Sequence, residues 1–285
     1  MRKKVTSIPV NPIDESGGGI FIARASLKDV HAFDGLEQSH RHDYHMFLLQ
    51  EEGTIFMEID FQEYEIKPWS VMYIHPSQVH RMRGAIENIT ASGWAIDNEN
   101  LNPEYLKLLE DITPARPVSL AGETFSIISD TVSLCIRFFE RKQERLYRSL
   151  LKDSCNALVA LVISQYLGEY KSADKLSRFE MVTRAFRAML ERNFITLKKP
   201  AEYAQSLHIS ASYLNECVKN TTGYSVSYHI QQRVMLEAKR LLYHSDKSVK
   251  EIAFELGYAD YPYFSRLFAK ATGMSALAFR RKDRE

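Results

Sequence analysis

PAEYAQSLHISASYLNECVKNTTGYS (residues 200–225) and VKEIAFELGYADYPYFSRLFAKATGMS (residues 249–275) are two versions of one pattern. Ala204 and Leu207 match Ala253 and Leu256 at an offset of 49, whereas Leu214, Thr222, Gly223 and Ser225 match Phe264, Thr272, Gly273 and Ser275 at an offset of 50. The offset changes inside the turn, so the second turn is one residue longer. Each copy reads as a helix-turn-helix unit. Two such units on one chain can present two helices to two successive major grooves, about 34 Å apart, and so imply double-stranded DNA as a partner.

The groove-entering helices are expected near residues 210–220 and 260–271. Leu214, Cys217 and Val218 should bury one side of the first, and Phe264, Leu267 and Phe268 one side of the second. The opposite sides then expose Ala211, Ser212, Asn215, Glu216 and Lys219, and Tyr261, Pro262, Ser265, Arg266 and Lys270. Asn215 can pair with adenine through both amide atoms, Glu216 can accept from cytosine N4, and Arg266 can reach guanine O6 and N7. Ser210, Lys219, Ser265 and Lys270 are placed for phosphates, which fix register without reading sequence. Competing roles are packing of the turn by Tyr261 and a surface ion pair of Glu216 with a neighbouring Lys. Tyr213 and Tyr263 are expected in the core.

Composition agrees with this division. The 37 Lys and Arg against 36 Asp and Glu give a net charge of +1. From Lys171 onward there are 20 against 12, a net of +8, which leaves 17 against 24, a net of −7, for residues 1–170. The basic half carries the repeat, as a phosphate-facing surface requires. An apolar fraction of 45% over 285 residues allows two domains with separate cores. No apolar run is long enough to span a membrane. Arg2, Lys3 and Lys4 are not followed by a signal-peptide core. Cys135, Cys155 and Cys217 lack metal spacing, so a reducing cytoplasmic location is expected.

Residues 1–19 read as a flexible arm ending in Gly17, Gly18 and Gly19. Short strands are expected at 46–49, 54–59, 64–66, 71–74 and 89–96, with turns at Glu52-Gly53, Lys67-Pro68 and Pro76-Ser77. This spacing suggests an antiparallel barrel or jelly roll ending near Val118. Residues 124–168 turn helical, with Phe125, Ile128, Val132, Cys135 and Phe139 on one stripe and Leu150, Leu151, Leu158, Leu161 and Val162 on another. These helices could cover the barrel or form a dimer seam. A polar linker at 171–175 precedes an all-helical region. There Phe179, Val182, Phe186, Met189 and Leu190 face inward. A connecting helix follows the first repeat, with Ile230, Val234, Ala238, Leu241 and Leu242 buried and Arg233, Glu237, Lys239 and Arg240 on other faces. The fold class is therefore α+β in two domains, 20–170 and 175–285.

The run LEAKRLLYHSDKSVKEIAFELGYADYPYFSRLFAKATGMSALAFRR (residues 236–281) resembles the signature of AraC/XylS-type transcriptional regulators. The SYLN and TGYS elements of the first repeat resemble it as well. Ala276 departs from the pattern, which has Pro after that Ser, and this bears on how the last helix starts. The resemblance implies base-reading roles for Ser212, Asn215, Glu216, Tyr261, Pro262 and Arg266. It also implies a small-molecule effector, a homodimer and, for an activator, RNA polymerase as a partner. SHRHDYHMFLLQEEG (residues 39–53) and PSQVHRM (residues 76–82) resemble the two motifs of a cupin-like sensor domain.

In metal-binding cupins two His separated by one residue, a following Glu and a His of the second motif hold the ion. His40, His42, His45 and His80 cluster around the corresponding fragments, but Met46 occupies the Glu position. Three imidazoles alone could hold zinc or iron. The missing carboxylate nevertheless favours a sensing barrel with no metal, cofactor or catalytic group. His40, His42, Tyr44, Trp69, Tyr73, His80, Arg81 and Trp94 are its candidate lining, suited to a sugar or small carboxylate, with Trp69 and Trp94 as alternative core aromatics. Competing classes are a ligand-independent regulator whose barrel only dimerises, a cupin enzyme fused to a DNA module, and an alkyl-transfer repair protein. The last needs an activated Cys, whereas the three cysteines lie at apolar helical positions.

Overall fold

The computed structural model describes residues 8–13, 18–26, 38–112, 115–141, 146–169 and 178–282. Most of the expected arm and the whole polar linker at 171–175 lie outside these residues. The chain divides into two compact units, Pro9–Ser172 and a second one running from Ala173 to the C-terminus.

The first unit is built on a sheet of order β2-β7-β4-β6-β8, with β5 paired to β4. Its strands are β2 (Ile20–Ser26), β4 (His45–Ile59), β5 (Gln62–Ile66), β6 (Ser70–Ile74), β7 (His80–Ile96) and β8 (Val118–Ser119). A separate parallel pair joins β1 (Val10–Asn11) to β3 (Arg41–His42). The segments expected at 46–49 and 54–59 are one strand, so Glu52-Gly53 is not a turn. Register shifts fall between Gln50 and Glu52 and between Glu52 and Thr54. Gln50 Nε2 donates to the carbonyls of Glu52 at 2.6 Å and Gly53 at 3.1 Å, which holds this bulge. Gly53 has φ +69°, and a Cβ there would come 2.6 Å from the Asn88 carbonyl, so a bulge glycine imitates a hairpin signal.

Because the pleat has period two, the bulge inverts which residues face which side. Met46 and Leu48 before it share a face with Ile55 and Met57 after it, as the cavity lining described below requires. The other face carries Phe47, Leu49, Val71, Tyr73 and Ile96. Against it pack three helices: α1 (Pro103–Ile112), α2 (Gly122–Glu140) and α3 (Tyr147–Glu169). Helix α1 lies where strands were expected. Pro103 opens it, and the Asn102 side chain accepts the Glu104 N–H at 2.9 Å. Ile128, Val132, Cys135, Leu151, Leu158 and Val162 are buried as the stripes required, whereas Leu150 is exposed.

In the second unit α4 (Arg178–Asn193) is followed by α5 (Pro200–Ser206), α6 (Ala211–Thr222), α7 (Val226–His244), α8 (Val249–Glu255), α9 (Tyr261–Thr272) and α10 (Ala276–Lys282). The repeat is visible in the backbone. His208 in the first turn has φ 55°, and Gly257, its counterpart in the second, has φ 80°. Ile209 N donates to Ala204 O at 3.0 Å and Tyr258 N to Ala253 O at 2.8 Å. Ser210 caps α6 and Asp260 caps α9. Gly223 and Gly273 end them at φ 79° and 77°, where a left-handed C-cap favours glycine. The departure at Ala276 leaves α10 intact, because the Ser275 hydroxyl accepts the Ala278 N–H at 3.1 Å.

One expectation for α7 fails. Arg233, Glu237 and Arg240 are buried, at 8%, 8% and 1% exposure, and do not face solvent. Helices α4, α6, α8, α9 and α10 all pack on α7, so little of its circumference stays wet. Glu237 bridges Arg240 at 2.8 Å and Arg233 at 3.2 Å, and Arg233 reaches Glu191 at 2.7 Å. Burial alone would raise the Glu237 carboxyl pKa. The guanidinium groups of Arg240 and Arg233 outweigh that and hold it below the usual range.

Candidate DNA-reading helices and effector cavity

Helices α6 and α9 bury Leu214, Cys217 and Val218, and Phe264 and Phe268, respectively. Ala211, Ser212, Glu216 and Lys219 on α6 are exposed, as are Pro262, Arg266 and Lys270 on α9, while Tyr261, Ser265 and Leu267 are partly covered. No salt bridge among the described residues engages Glu216, Lys219, Arg266 or Lys270, so the suggested Glu216–Lys pair is not formed. These charged side chains therefore stay available to a duplex.

Three residues differ from expectation. The Asn215 side-chain oxygen accepts the Val226 N–H at 3.1 Å at the start of α7, which in this arrangement leaves its NH₂ open to donate. The Ser210 hydroxyl is occupied as the α6 cap, accepting the Tyr213 N–H at 3.2 Å. Tyr263 is 50% exposed, not core, and leans on Tyr258. Tyr213 is half-buried, under the Arg178 guanidinium, 5.7 Å from the ring centre.

In the first unit a cavity of about 310 Å³ is lined by Phe21, Ala23, Ala25, Met46, Leu48, Ile55, Met57, Met82, Ala91, Gly93 and Ala95, with His40, His42, Tyr44, His80 and Trp94. Its volume has a simple origin. The pairing of β2 with β7 sets Phe21 opposite Ala95, Ala23 opposite Gly93 and Ala25 opposite Ala91. A row of small residues on two adjacent strands leaves space that bulky residues would fill. This row and the three methionines escaped the sequence reading. Its only signal is a small residue at every second position of 91–95, facing a partner strand whose register is not written locally.

Of the expected lining, His40, His42, Tyr44, His80 and Trp94 border the cavity, although the Trp94 ring stacks on Phe47, 5.3 Å between centres, in the core beneath the helices. Three others do not line it. Trp69 is 51% exposed and stacks on Phe125. Tyr73 is fully buried in that same helix-facing layer, bonded to His45 Nδ1 at 2.7 Å. Arg81 is paired with Glu58 at 2.8 Å. Without Arg81 and with mostly Ala, Met, Leu and Ile on its walls, the cavity fits an apolar body better than a sugar.

The polar end is a trio of buried imidazoles. His40 and His80 exchange backbone hydrogen bonds at 3.1 and 2.9 Å, and β1 pairing places His42 beside them. Ring centres of His40, His42 and His80 are 4.6 to 4.8 Å apart. Each Nδ1 faces a backbone carbonyl: Gln38 at 2.7 Å, Asn11 at 3.3 Å and Gln78 at 3.2 Å. Burial, with the neighbouring His residues, lowers the pKa of His42 to about 4 and of His80 to about 3. Tyr44 stacks on His42, and burial pushes its hydroxyl up to about 12.

Comparison with known proteins matches both halves of the chain to known domains. Residues 203–282 match the model of a helix-turn-helix domain, and residues 32–147 match that of the AraC-like ligand binding domain. The HTH-type transcriptional regulator YobQ of Bacillus subtilis (strain 168) is 27% identical over 247 residues, covering 86% of this chain and 89% of its own. The HTH-type transcriptional activator RhaR of Mannheimia succiniciproducens is 22% identical over 251 residues, with coverage of 85% and 86%. Among solved structures, unsaturated fatty acid-bound ToxT of Vibrio cholerae strain SCE256 aligns over 98% of this chain and 97% of its own, at 14% identity and a TM-score of 0.42.

Proposed function

Since the chain belongs to the AraC-type family of helix-turn-helix transcriptional regulators, we propose that it reads a specific DNA element with α6 and α9 under the control of an effector held in the N-terminal cavity. One observation carries the first half of this reading. Two helix-turn-helix units sit on either side of a single buried helix, and each exposes charged side chains that no ion pair among the described residues engages: Glu216 and Lys219 on α6, Arg266 and Lys270 on α9. Arg266, Pro262 and Tyr261 on α9 and Ser212 and Glu216 on α6 take the base-facing positions. Lys219, Lys270 and Ser265 serve the phosphates. Ser210 is kept mainly as a cap, and Asn215 contributes its NH₂.

The effector is a small molecule with an apolar body and a polar head that meets His40, His42, His80 and Tyr44. It regulates only through a difference in its affinity for free and DNA-bound protein. The active species is a homodimer, supported by exposed Ile127 and Leu134 seven residues apart on α2. RNA polymerase is the further partner if the protein activates. Selection from fragmented genomic DNA of its source at fixed ionic strength tests the reading. The expected result is a small set of fragments bound at least about 10³-fold more tightly than bulk DNA. Uniform binding to all fragments contradicts it.

A further inference from the structure

The His40, His42 and His80 trio carries more than a polar end to a cavity. A backbone carbonyl can only accept, so each Nδ1 that faces one must carry the ring proton. In a neutral imidazole that leaves Nε2 with its lone pair exposed. The Nε2 atoms of His42 and His80 are 3.1 Å apart, and two lone pairs at that distance repel. His40 Nε2 is buried with no hydrogen-bond partner among the described residues. The ligand-capable nitrogens of all three residues lie within 4.8 Å of one another. A tetrahedral zinc ion with Zn–N bonds of 2.0–2.1 Å needs its nitrogens about 3.3 Å apart. One cation among the three would satisfy the orphaned nitrogen and remove the repulsion, while the carbonyls already act as the outer partners that fix such rings.

We propose that His40, His42 and His80 bind one divalent transition-metal ion, with Zn²⁺ as the probe, through their Nε2 atoms, leaving a coordination position toward the apolar cavity. The donor set selects an imidazole-preferring ion over Mg²⁺ or Ca²⁺, which need oxygen ligands. Among the described residues no carboxylate lines the cavity, and Asp43, which acts electrostatically on His42 and Tyr44, offsets only part of the ion's double charge beside three neutral ligands. An anion must supply the balance. The ligand class for the open position is therefore an anionic head on an apolar body. The metal site rests on the geometry of the N-terminal unit alone and would stand if the DNA reading failed.

The test uses full-length protein stripped with a chelator and titrated calorimetrically with Zn²⁺. The expected result is one Zn²⁺ per chain and a higher unfolding temperature. His42→Gln and His80→Gln should each weaken binding by at least about 100-fold, while His208→Asn, at an exposed imidazole of the other unit, leaves it unchanged. Imidazole ¹⁵N spectra of the wild type give a readout independent of variant folding: three rings should keep Nδ1–H and shift at Nε2 when metal is added. Folded wild-type protein that takes up no stoichiometric Zn²⁺, equal affinity in folded His80→Gln, or spectra in which these rings do not respond, overturns the site.

Discussion

Ala23 on β2 lies directly opposite Gly93 on β7, and this pairing of two very small residues keeps open the centre of the cavity wall. A Cβ built on Gly93 meets nothing closer than the Phe47 carbonyl at 3.9 Å. Ala23→Leu should therefore fill the cavity at little cost, changing stability by less than about 1 kcal/mol, where a well-packed core would lose about 1–3. Urea unfolding checks the stability. Loss of binding of an apolar fluorescent probe, with DNA affinity retained, checks the occupancy.

Arg266 and Lys270 share the exposed side of α9 but should fail differently. Arg266→Ala should cost about 1–3 kcal/mol on the specific element and relax preference at one base pair. Lys270→Ala should weaken binding to all duplexes alike and reduce the salt slope by about 1. Titrations at several salt concentrations against matched and point-substituted duplexes separate the two.

The Arg233–Glu237–Arg240 cluster predicts a large single-site loss. Glu237→Gln leaves two buried guanidinium groups without their shared carboxylate, and about 3–5 kcal/mol of stability should go. Denaturant unfolding of the C-terminal unit measures it. A loss below 1 kcal/mol would mean the cluster is hydrated in solution.

The turn glycines should rank by their surroundings. Gly223→Ala faces only the cost of its φ of 79°, on the order of 1–2 kcal/mol, because nothing lies within 4 Å of the added Cβ. Gly257→Ala adds a collision, its Cβ falling 2.3 Å from the Ile195 carbonyl, and should lose more. His208→Gly, at the equivalent left-handed position of the first turn, should not destabilise. Thermal unfolding of the three variants gives the order.

His45 gives the N-terminal unit a pH dependence. Burial lowers its pKa, against the opposing effects of Asn98, Glu110 and Asp97, and its ring also meets Tyr73 and His75. The unfolded chain then binds a proton near pH 6.5 that the folded form refuses, so stability is full above that pH and falls as pH drops below it. His45→Gln should reduce the slope of stability against pH between 6.5 and 5 by up to about 1.4 kcal/mol per pH unit. An unchanged slope contradicts a neutral buried His45.

The C-terminal half was legible because its signals are local. The repeat, the capping Ser210 and Asp260, and the C-cap glycines Gly223 and Gly273 each act within a turn of helix. The buried Arg233, Glu237 and Arg240 were not, since a charged residue is solvated unless several helices close over it, and that closure is tertiary. The Asn215 contact is not legible in sequence for the same reason: its partner, Val226, belongs to the next helix.

The N-terminal half was read in class but not in detail. Gly53 looks like a turn and is a bulge, and the strand phase it inverts decides which side chains meet the cavity. Arg81 and Trp69 have the right chemistry for a ligand but point elsewhere. The three His were visible as a cluster. Their arrangement was not, because the groups that fix their Nδ1 atoms are backbone carbonyls of Gln38, Asn11 and Gln78, which leave no trace in residue identity.

Hydroxyl-radical footprinting of the protein on a selected genomic fragment tests the central claim most directly. Each bound chain should protect two short segments on one face of the duplex, about one helical turn apart, and Arg266→Ala should expose the segment under α9 while that under α6 persists. A single continuous protection that shifts freely along the fragment, unaltered by Arg266→Ala, would contradict it.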